Sequence, residues 1–83
     1  MDEWPDWWGW EVELSVHVQI RMVDREFNEI DLRLMLADAN GYHSDVVEGR
    51  WVVECRHADR PWEVIVQPLP DECRLLVITA FPV

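Results

Sequence analysis

The sequence predicts an α+β domain in which two helices pack on one face of a small antiparallel sheet, in the order β-α-α-β-β-β. Two neighbouring segments in the first half begin at helix N-caps and contain no Gly or Pro. The second half alternates apolar and polar residues with a period of two, and Pro, Gly and Asp interrupt the alternation. Helices followed by consecutive strands are typical of the α+β class.

The composition restricts the function before any motif is considered. The 83 residues include 17 Asp and Glu but only seven Arg and no Lys, so the formal net charge is −10. Phosphate backbones repel such a chain, which disfavours a general nucleic-acid binder. Disorder is disfavoured too, because 49% of the residues are hydrophobic and six are Trp. With no long apolar run and an acidic start, we expect a cytoplasmic chain that folds as a single domain over residues 1–83.

Residues 1–9 form a Trp-rich acidic N-terminal arm. Pro5 and Gly9 argue against regular structure in this arm, and the alternation from Trp10 to Leu14 predicts a short strand after it. The indoles have two interpretations: they cover the small core, or they form a patch for a protein partner or a homodimer. The candidate partner-binding residues are Trp4, Trp7, Trp8 and Trp10.

Ser15 is placed to cap a first helix that runs from Val16 to about Arg25. At 100° per residue, this helix has two apolar faces with a polar stripe between them. One face carries Val16, Ile20 and Val23, the other carries Val18 and Met22, and the stripe consists of His17, Arg21 and Arg25.

Asn28 is placed to cap a second helix, with acidic residues in the first turn where the helix dipole favours them. Its body, from Ile30 to Ala39, is apolar almost all the way round. This pattern predicts that the helix is buried on two sides, and Asn40-Gly41 is expected to end it.

Three strands follow. The run from Arg50 to His57 alternates between an apolar side and a charged side, and a turn over Ala58–Pro61 leads to a second alternating run from Trp62 to Gln67. After a break at Pro68–Asp71, the final strand from Leu75 to Phe81 is apolar on both sides except at Thr79. Apolar residues on both sides predict a central position in the sheet.

The run from Ser15 to Arg25 resembles the His-x-x-x-Arg-Met-x-x-Arg signature of a bacterial family catalogued as domain of unknown function 4258. The resemblance covers nearly the whole chain and extends to Asp31-Leu32, Glu48–Trp51, Arg56-His57, Trp62–Val66 and Val77–Phe81. That family resembles the RelE, ParE and BrnT toxins. The resemblance implies a helix-then-sheet, ribonuclease-like fold and a toxin-like function in a toxin-antitoxin system.

The chain departs from the family pattern at two positions. Glu26 stands where relatives usually have Gly, at the sharp end of the first helix. If the backbone there requires a positive φ, Glu costs on the order of 1 kcal/mol relative to Gly. Phe81 stands where relatives often have Tyr, a residue that RelE-like ribonucleases tend to use in chemistry.

Metal-free cleavage of RNA requires a base for the 2′-hydroxyl, cations for the phosphorane and an acid for the leaving oxygen. The candidate catalytic residues are Glu54 or His17 as base, Arg21, Arg50 and Arg56 as cations, and His57 or His17 as acid. The alternative is structural: Arg21 and Arg25 form ion pairs that brace the helix on the sheet, and Glu54 is a cross-strand partner.

No cofactor or metal site is expected. Cys55 and His57 share one side of a strand, but no second pair appears at zinc-site spacing and His43 is placed in a loop. Without an export signal, Cys55 and Cys73 are expected to be reduced.

Three functions therefore remain open, of which an acidic mimic of nucleic acid fits the charge alone and ranks last. The first is a metal-independent ribonuclease with an antitoxin-like partner, or its degenerate descendant. The second is a non-enzymatic, acidic protein-binding module, or a homodimer, that uses the Trp-rich arm. The net charge of −10 and Phe81 favour the second function.

Overall fold

The computed structural model describes residues 4–83 and shows two helices on a five-stranded sheet. Residues 1–3 of the predicted arm lie outside the described residues. The elements are a 3-10 turn at Asp6–Gly9, strand β1 at Glu11–Leu14, helix α1 at Val16–Arg25, helix α2 at Glu29–Ala37, and strands β2 at Gly41–Ser44, β3 at Trp51–His57, β4 at Arg60–Leu69 and β5 at Arg74–Pro82. The α+β class is confirmed, and the arm contains one regular turn that Pro5 and Gly9 did not indicate.

The sheet is mixed rather than purely antiparallel. Its strand order is β1-β5-β4-β3-β2, and β1 runs parallel to β5, with Glu11 opposite Arg74. All other pairs are antiparallel. The expected central position of β5 is confirmed, since it lies between β1 and β4. The alternation in β1 identifies a half-buried strand but carries no information about the direction of its partner. For this reason the expectation of a purely antiparallel sheet was wrong.

Strand β2 is absent from the elements that the sequence predicts. Its four residues pair antiparallel with β3, and His43 lies opposite Val52 instead of in a loop. The backbone N–H of Asn40 donates to the Glu54 carbonyl at 2.9 Å and leads the chain into this pairing. The four residues of β2 include one Gly and one Ser and show no clear apolar alternation. The strand therefore forms because it pairs with the edge of β3, and its own side chains do not predict it.

The turn between β3 and β4 is shorter than predicted. Only Ala58 and Asp59 form it, both with positive φ (54° and 65°), and Pro61 already belongs to β4. Two consecutive residues in this conformation match the right-handed twist of a two-residue hairpin. Pro61 lies opposite Arg56, and its carbonyl accepts a hydrogen bond from the Val83 N–H at 2.9 Å.

Helix α1 has the predicted bounds and the predicted cap. The Ser15 hydroxyl accepts a hydrogen bond from the Val18 N–H at 3.0 Å and donates one to the Ile78 carbonyl at 2.8 Å. The same side chain therefore caps the helix and attaches it to β5. The helix ends at Glu26, whose backbone is left-handed (φ 58°, ψ 49°), the conformation that Gly adopts most readily.

Helix α2 begins with a capping box. The Asn28 side chain accepts from the Asp31 N–H at 2.8 Å, and the Asp31 carboxylate accepts from the Asn28 N–H at 3.1 Å. The expected burial on two sides is wrong. One side, with Leu32, Met35 and Leu36, packs on the sheet, whereas Ile30 and Leu34 are exposed on the other side.

One face of the sheet carries the core. Both helices and the arm contribute to this core. The apolar sides predicted for β3 and β4 are confirmed, since they form the part of the core that belongs to the sheet. Its buried members are Trp7, Val18, Phe27, Leu32, Met35, Leu36, Val53, Cys55, Trp62, Val64, Val66, Leu75, Val77 and Ala80. An irregularity in the pairing at Ile65/Val66 lets both Val77 and Ala80 reach the core although they are three residues apart. No helix covers the opposite face of the sheet in residues 4–83.

Replacing Glu26 by Gly should stabilise the protein by about 1 kcal/mol, because Gly adopts the left-handed backbone without a Cβ penalty. The measurement is the free energy of unfolding in urea. The control is Gln19→Gly, at an exposed position inside α1, which should destabilise by about the same amount. If Glu26→Gly lowers stability as Gln19→Gly does, α1 does not end in this conformation.

Candidate functional site

The Trp-rich arm folds back over the core. Trp7 is only 8% exposed, and its ring centroid lies 5.9 Å from those of both Tyr42 and Trp51. Trp4, which is 38% exposed, stacks on Trp8 at 4.5 Å. Trp7 therefore has the core-covering role, together with the partly buried Trp8 and Trp10, and Trp4 is the indole with the most surface available to a partner.

The candidate catalytic residues of α1 lie on the helical layer. His17 is exposed, and Arg21 donates to Asp24 of the same helix at 2.9 Å. Arg25 donates to the Ala80 carbonyl at 3.3 Å. Arg25 thus braces the helix on the sheet as the structural alternative expects, but through a backbone oxygen, while the Arg21 ion pair stays within α1.

His57 lies on the same side of β3 as Cys55, which faces the core. Its ring meets the Trp62 ring edge to face, with centroids 5.4 Å apart. The side chain of His57 is therefore separated from Glu54 and Arg56, which project from the opposite side of the same strand. This placement puts His57 on the opposite side of the sheet from Arg50, Glu54 and Arg56.

Three of the candidate catalytic residues share the uncovered face of the sheet, which we call the open face. The Glu54 carboxylate is 3.0 Å from His43 Nδ1, and Arg50 Nε donates to the Gln67 side-chain oxygen at 3.3 Å. Arg56 donates to the Asp59 carbonyl in the hairpin turn at 2.8 Å. The structure thus brings Arg50, Glu54 and Arg56 to one face and places His17, Arg21 and His57 on the other side of the sheet.

His43 is the functional candidate that the sequence analysis missed. It reaches Glu54 because Gly41 pairs with Glu54 and His43 lies two residues further along the adjacent strand, on the same side. A histidine and a carboxylate in hydrogen-bond contact can pass a proton. The signal in the sequence was the β-compatible pair Tyr42-His43 after Gly41, a residue expected to end α2 that instead begins β2.

The electrostatics of the open face are mixed. Glu54 lies directly opposite Glu63 on β4, an unfavourable like-charge pair that the His43 contact offsets when the imidazole is protonated. Further along, Arg74 is within 4.0 Å of three carboxylates, those of Glu11, Glu13 and Glu72. The open face therefore offers isolated cations among acids rather than a continuous basic groove.

The helical layer exposes apolar side chains that the core does not use. Val16, Ile20 and Val23 fall on one side of α1, about 160° around the helix from the buried Val18. Ile30 and Leu34 occupy the corresponding side of α2. These five side chains, which we call the outer apolar surface, are between 52% and 79% exposed.

The outer apolar surface adjoins a cleft. Ala37 follows Leu34 by three positions on the same side of α2 and lines this cleft, whose volume is about 170 Å³. Its other lining residues are Trp8, Val12, Arg33, Leu36 and Leu75. The cleft is therefore bounded by the arm, the end of α2 and the first residues of β1 and β5.

Neither cysteine is bonded to the other. Cys55 is buried, and this burial, reinforced by the negative charge of Glu63, raises its pKa to about 11. At neutral pH it is a thiol and a poor nucleophile. No three His, Cys, Asp or Glu residues among positions 4–83 are arranged to hold a metal ion.

Comparisons with family models, with curated proteins and with solved structures give no match to this chain. The family resemblance accordingly rests on the motif residues alone. Over residues 4–83, neither helix has the length and apolar character that crossing a membrane requires.

The two thiols should react very differently with a thiol-specific reagent at pH 7.5. Cys73 is exposed and should be modified in the native protein, whereas Cys55 should react only after unfolding, because it is buried and its raised pKa leaves little thiolate. The measurement is mass spectrometry of Cys73→Ser and Cys55→Ser after brief alkylation. Fast modification of native Cys73→Ser would show that β3 is not packed as described.

Proposed function

We propose that this chain is a non-enzymatic, acidic protein-binding module whose docking surface is the outer apolar surface. The observation that carries the proposal is that α1 and α2 each have an apolar side turned away from the sheet. Burying one Val, Leu or Ile side chain is worth about 1.5–3 kcal/mol. Five such side chains on adjacent helices therefore supply substantial binding energy to a partner that covers them.

The separation of the candidate catalytic residues supports a binding function over an enzymatic one. A reaction centre needs its base, acid and cations within reach of the same substrate atoms. Here the sheet lies between His17 and Arg21 on one side and Glu54 and Arg56 on the other. Binding does not require these residues to converge. Because Trp7 is buried over the core, the expected docking surface lies on the helices rather than on the arm.

Site-specific photo-crosslinking tests this function. A photoreactive p-benzoylphenylalanine placed at position 20 or 34 should give the same discrete protein adduct in the native host. Ser at position 23 or 30 in the same chains should reduce the adduct at least tenfold, because removing one apolar anchor weakens the docking.

Position 46 provides the matched control. Val46 is 99% exposed but lies between β2 and β3, outside the outer apolar surface. The proposal fails if positions 20 and 34 give no adduct, or if position 46 gives the same adduct with equal yield.

A second candidate, a metal-independent ribonuclease on the open face, is favoured by one specific observation. His43 and Glu54 are in contact on the face that carries Arg50 and Arg56, and such a contact supports a role in proton transfer. The resemblance to RelE-like toxins supports the same activity, and the β-α-α-β-β-β-β order is compatible with a RelE-like fold. Phe81 and the excess of acids weigh against it.

Incubation with total RNA in EDTA tests this candidate. If the open face is catalytic, His43→Ala and Glu54→Gln should each slow cleavage by about 100-fold or more, the usual range for a lost general acid or base. Arg56→Ala should also slow cleavage, whereas Arg33→Ala, an arginine on α2 paired with Glu29, should not. Absence of cleavage by the unmodified chain excludes the activity, and loss of cleavage only in His17→Ala would place it on the helical layer.

A further inference from the structure

We infer that the partner of the outer apolar surface is a cationic amphipathic helix that lies across the outer sides of α1 and α2. This inference rests on the proposed docking function and specifies the chemistry of its partner. It follows from the spacing of the two helices, from the charge around them and from the adjoining cleft.

The spacing of α1 and α2 fits a third helix. Helix α1 contacts β5 and α2 contacts β3, with β4 between them. Two strand spacings correspond to about 10 Å, or one helix diameter, so helices over β5 and β3 are neighbours and a third helix can lie only across their outer sides. A helix seated above them would touch the apolar sides of both, with anchors at positions i, i+3 or i+4 and i+7.

The length of the surface sets the length of the partner segment. Ten residues of α1 extend about 15 Å, and the nine residues of α2 slightly less. A partner segment of about three turns is therefore sufficient to cover both stripes.

The charges specify a basic partner. Between Val16 and Asp38 the chain has five acidic residues and three Arg. The arginines are already engaged: Arg21 with Asp24, Arg33 with Glu29, and Arg25 with the Ala80 carbonyl. Lys or Arg residues beside the partner's apolar face would meet the remaining carboxylates, and the net charge of −10 would accelerate the encounter.

The same charge disfavours a second copy of this chain as the occupant. A symmetric dimer through α1 and α2 would bring two surfaces of like sign together, each belonging to a chain of charge −10. The negative charge of the chain attracts a basic partner and repels a second copy. The charge therefore favours the basic partner as the occupant.

The cleft beside α2 provides a position for one large anchor. Its volume of about 170 Å³ is comparable to a cavity that accepts benzene, and most of its lining is apolar. Because Ala37 belongs both to the cleft and to the exposed side of α2, a Leu or Phe of the partner helix can enter the cleft while neighbouring residues cover Leu34. Ala37→Trp would fill this position and block it.

Titration with a synthetic 18-residue Leu/Lys peptide of helical periodicity tests the inference. The readout is the change in backbone amide shifts of the isotope-labelled full chain, together with the Kd. Shifts should concentrate in residues 16–37, and Kd should rise at least tenfold between 50 and 300 mM salt. Ile20→Ser, Leu34→Ser and Ala37→Trp should each raise Kd at least tenfold, whereas Val46→Ser should leave it unchanged.

Two further peptides control for the periodicity and the charge. A scrambled peptide of the same composition and a Leu/Glu peptide of the same periodicity should both bind at least tenfold more weakly. Equal binding of the Leu/Glu peptide, shifts confined to the open face, or a dimer of the free chain that buries residues 20 and 34 would each overturn the inference. If cross-links form at positions 20 and 34 but the Leu/Lys peptide does not bind, the docking function stands and this description of the partner fails.

Discussion

The attachment of α1 to strand β5 through Ser15 determines which side of the helix is exposed to solvent. The hydroxyl holds the first turn of the helix and the Ile78 carbonyl at once, and the Ser15 N–H extends the parallel ladder to Val77 at 3.1 Å. At the other end of the helix, Arg25 reaches the Ala80 carbonyl. These attachments at both ends favour one orientation of α1, with Val18 in the core and Ile20 exposed.

Because of this orientation, the apolar residues of α1 fall into two groups, one in the core and one on the outer apolar surface. The core is complete without the outward apolar residues, because the arm supplies Trp7 and the link between the helices supplies Phe27, whose ring packs on Trp62 at 5.3 Å. The apolar residues outside the core are therefore surplus to folding. Surplus apolar area is costly to solubility and is typically retained where it serves a contact. The open face differs, because acids and arginines lie there around the buried apolar pair Val52 and Ile65.

Local signals in the sequence were enough to predict the helices and most of the sheet. Ser15 and Asn28 defined the helix starts because N-cap chemistry depends only on neighbouring residues. The two sides of β3 followed from its alternation. Strand β2, the parallel direction of β1 and the shorter hairpin turn depend on pairing with distant strands, which no local pattern encodes. Helix α2 was the hardest case, because an almost continuous apolar circumference does not indicate which side meets the sheet.

For the candidate site, the sequence predicted that Arg50, Glu54 and Arg56 share one side of the sheet, but not that His43 joins them. The partner of Glu54 lies on an unpredicted strand, so it could be identified only from the register of β2 against β3.

The pairing of β1 with β5 has a further consequence for folding, since Ser15 and Ile78 are 63 residues apart. Closing so long a loop costs entropy before any contact rewards it, which slows folding relative to helical proteins of this size. The N-terminal segment is therefore expected to join the sheet late, after β3, β4 and β5 have paired with their sequence neighbours.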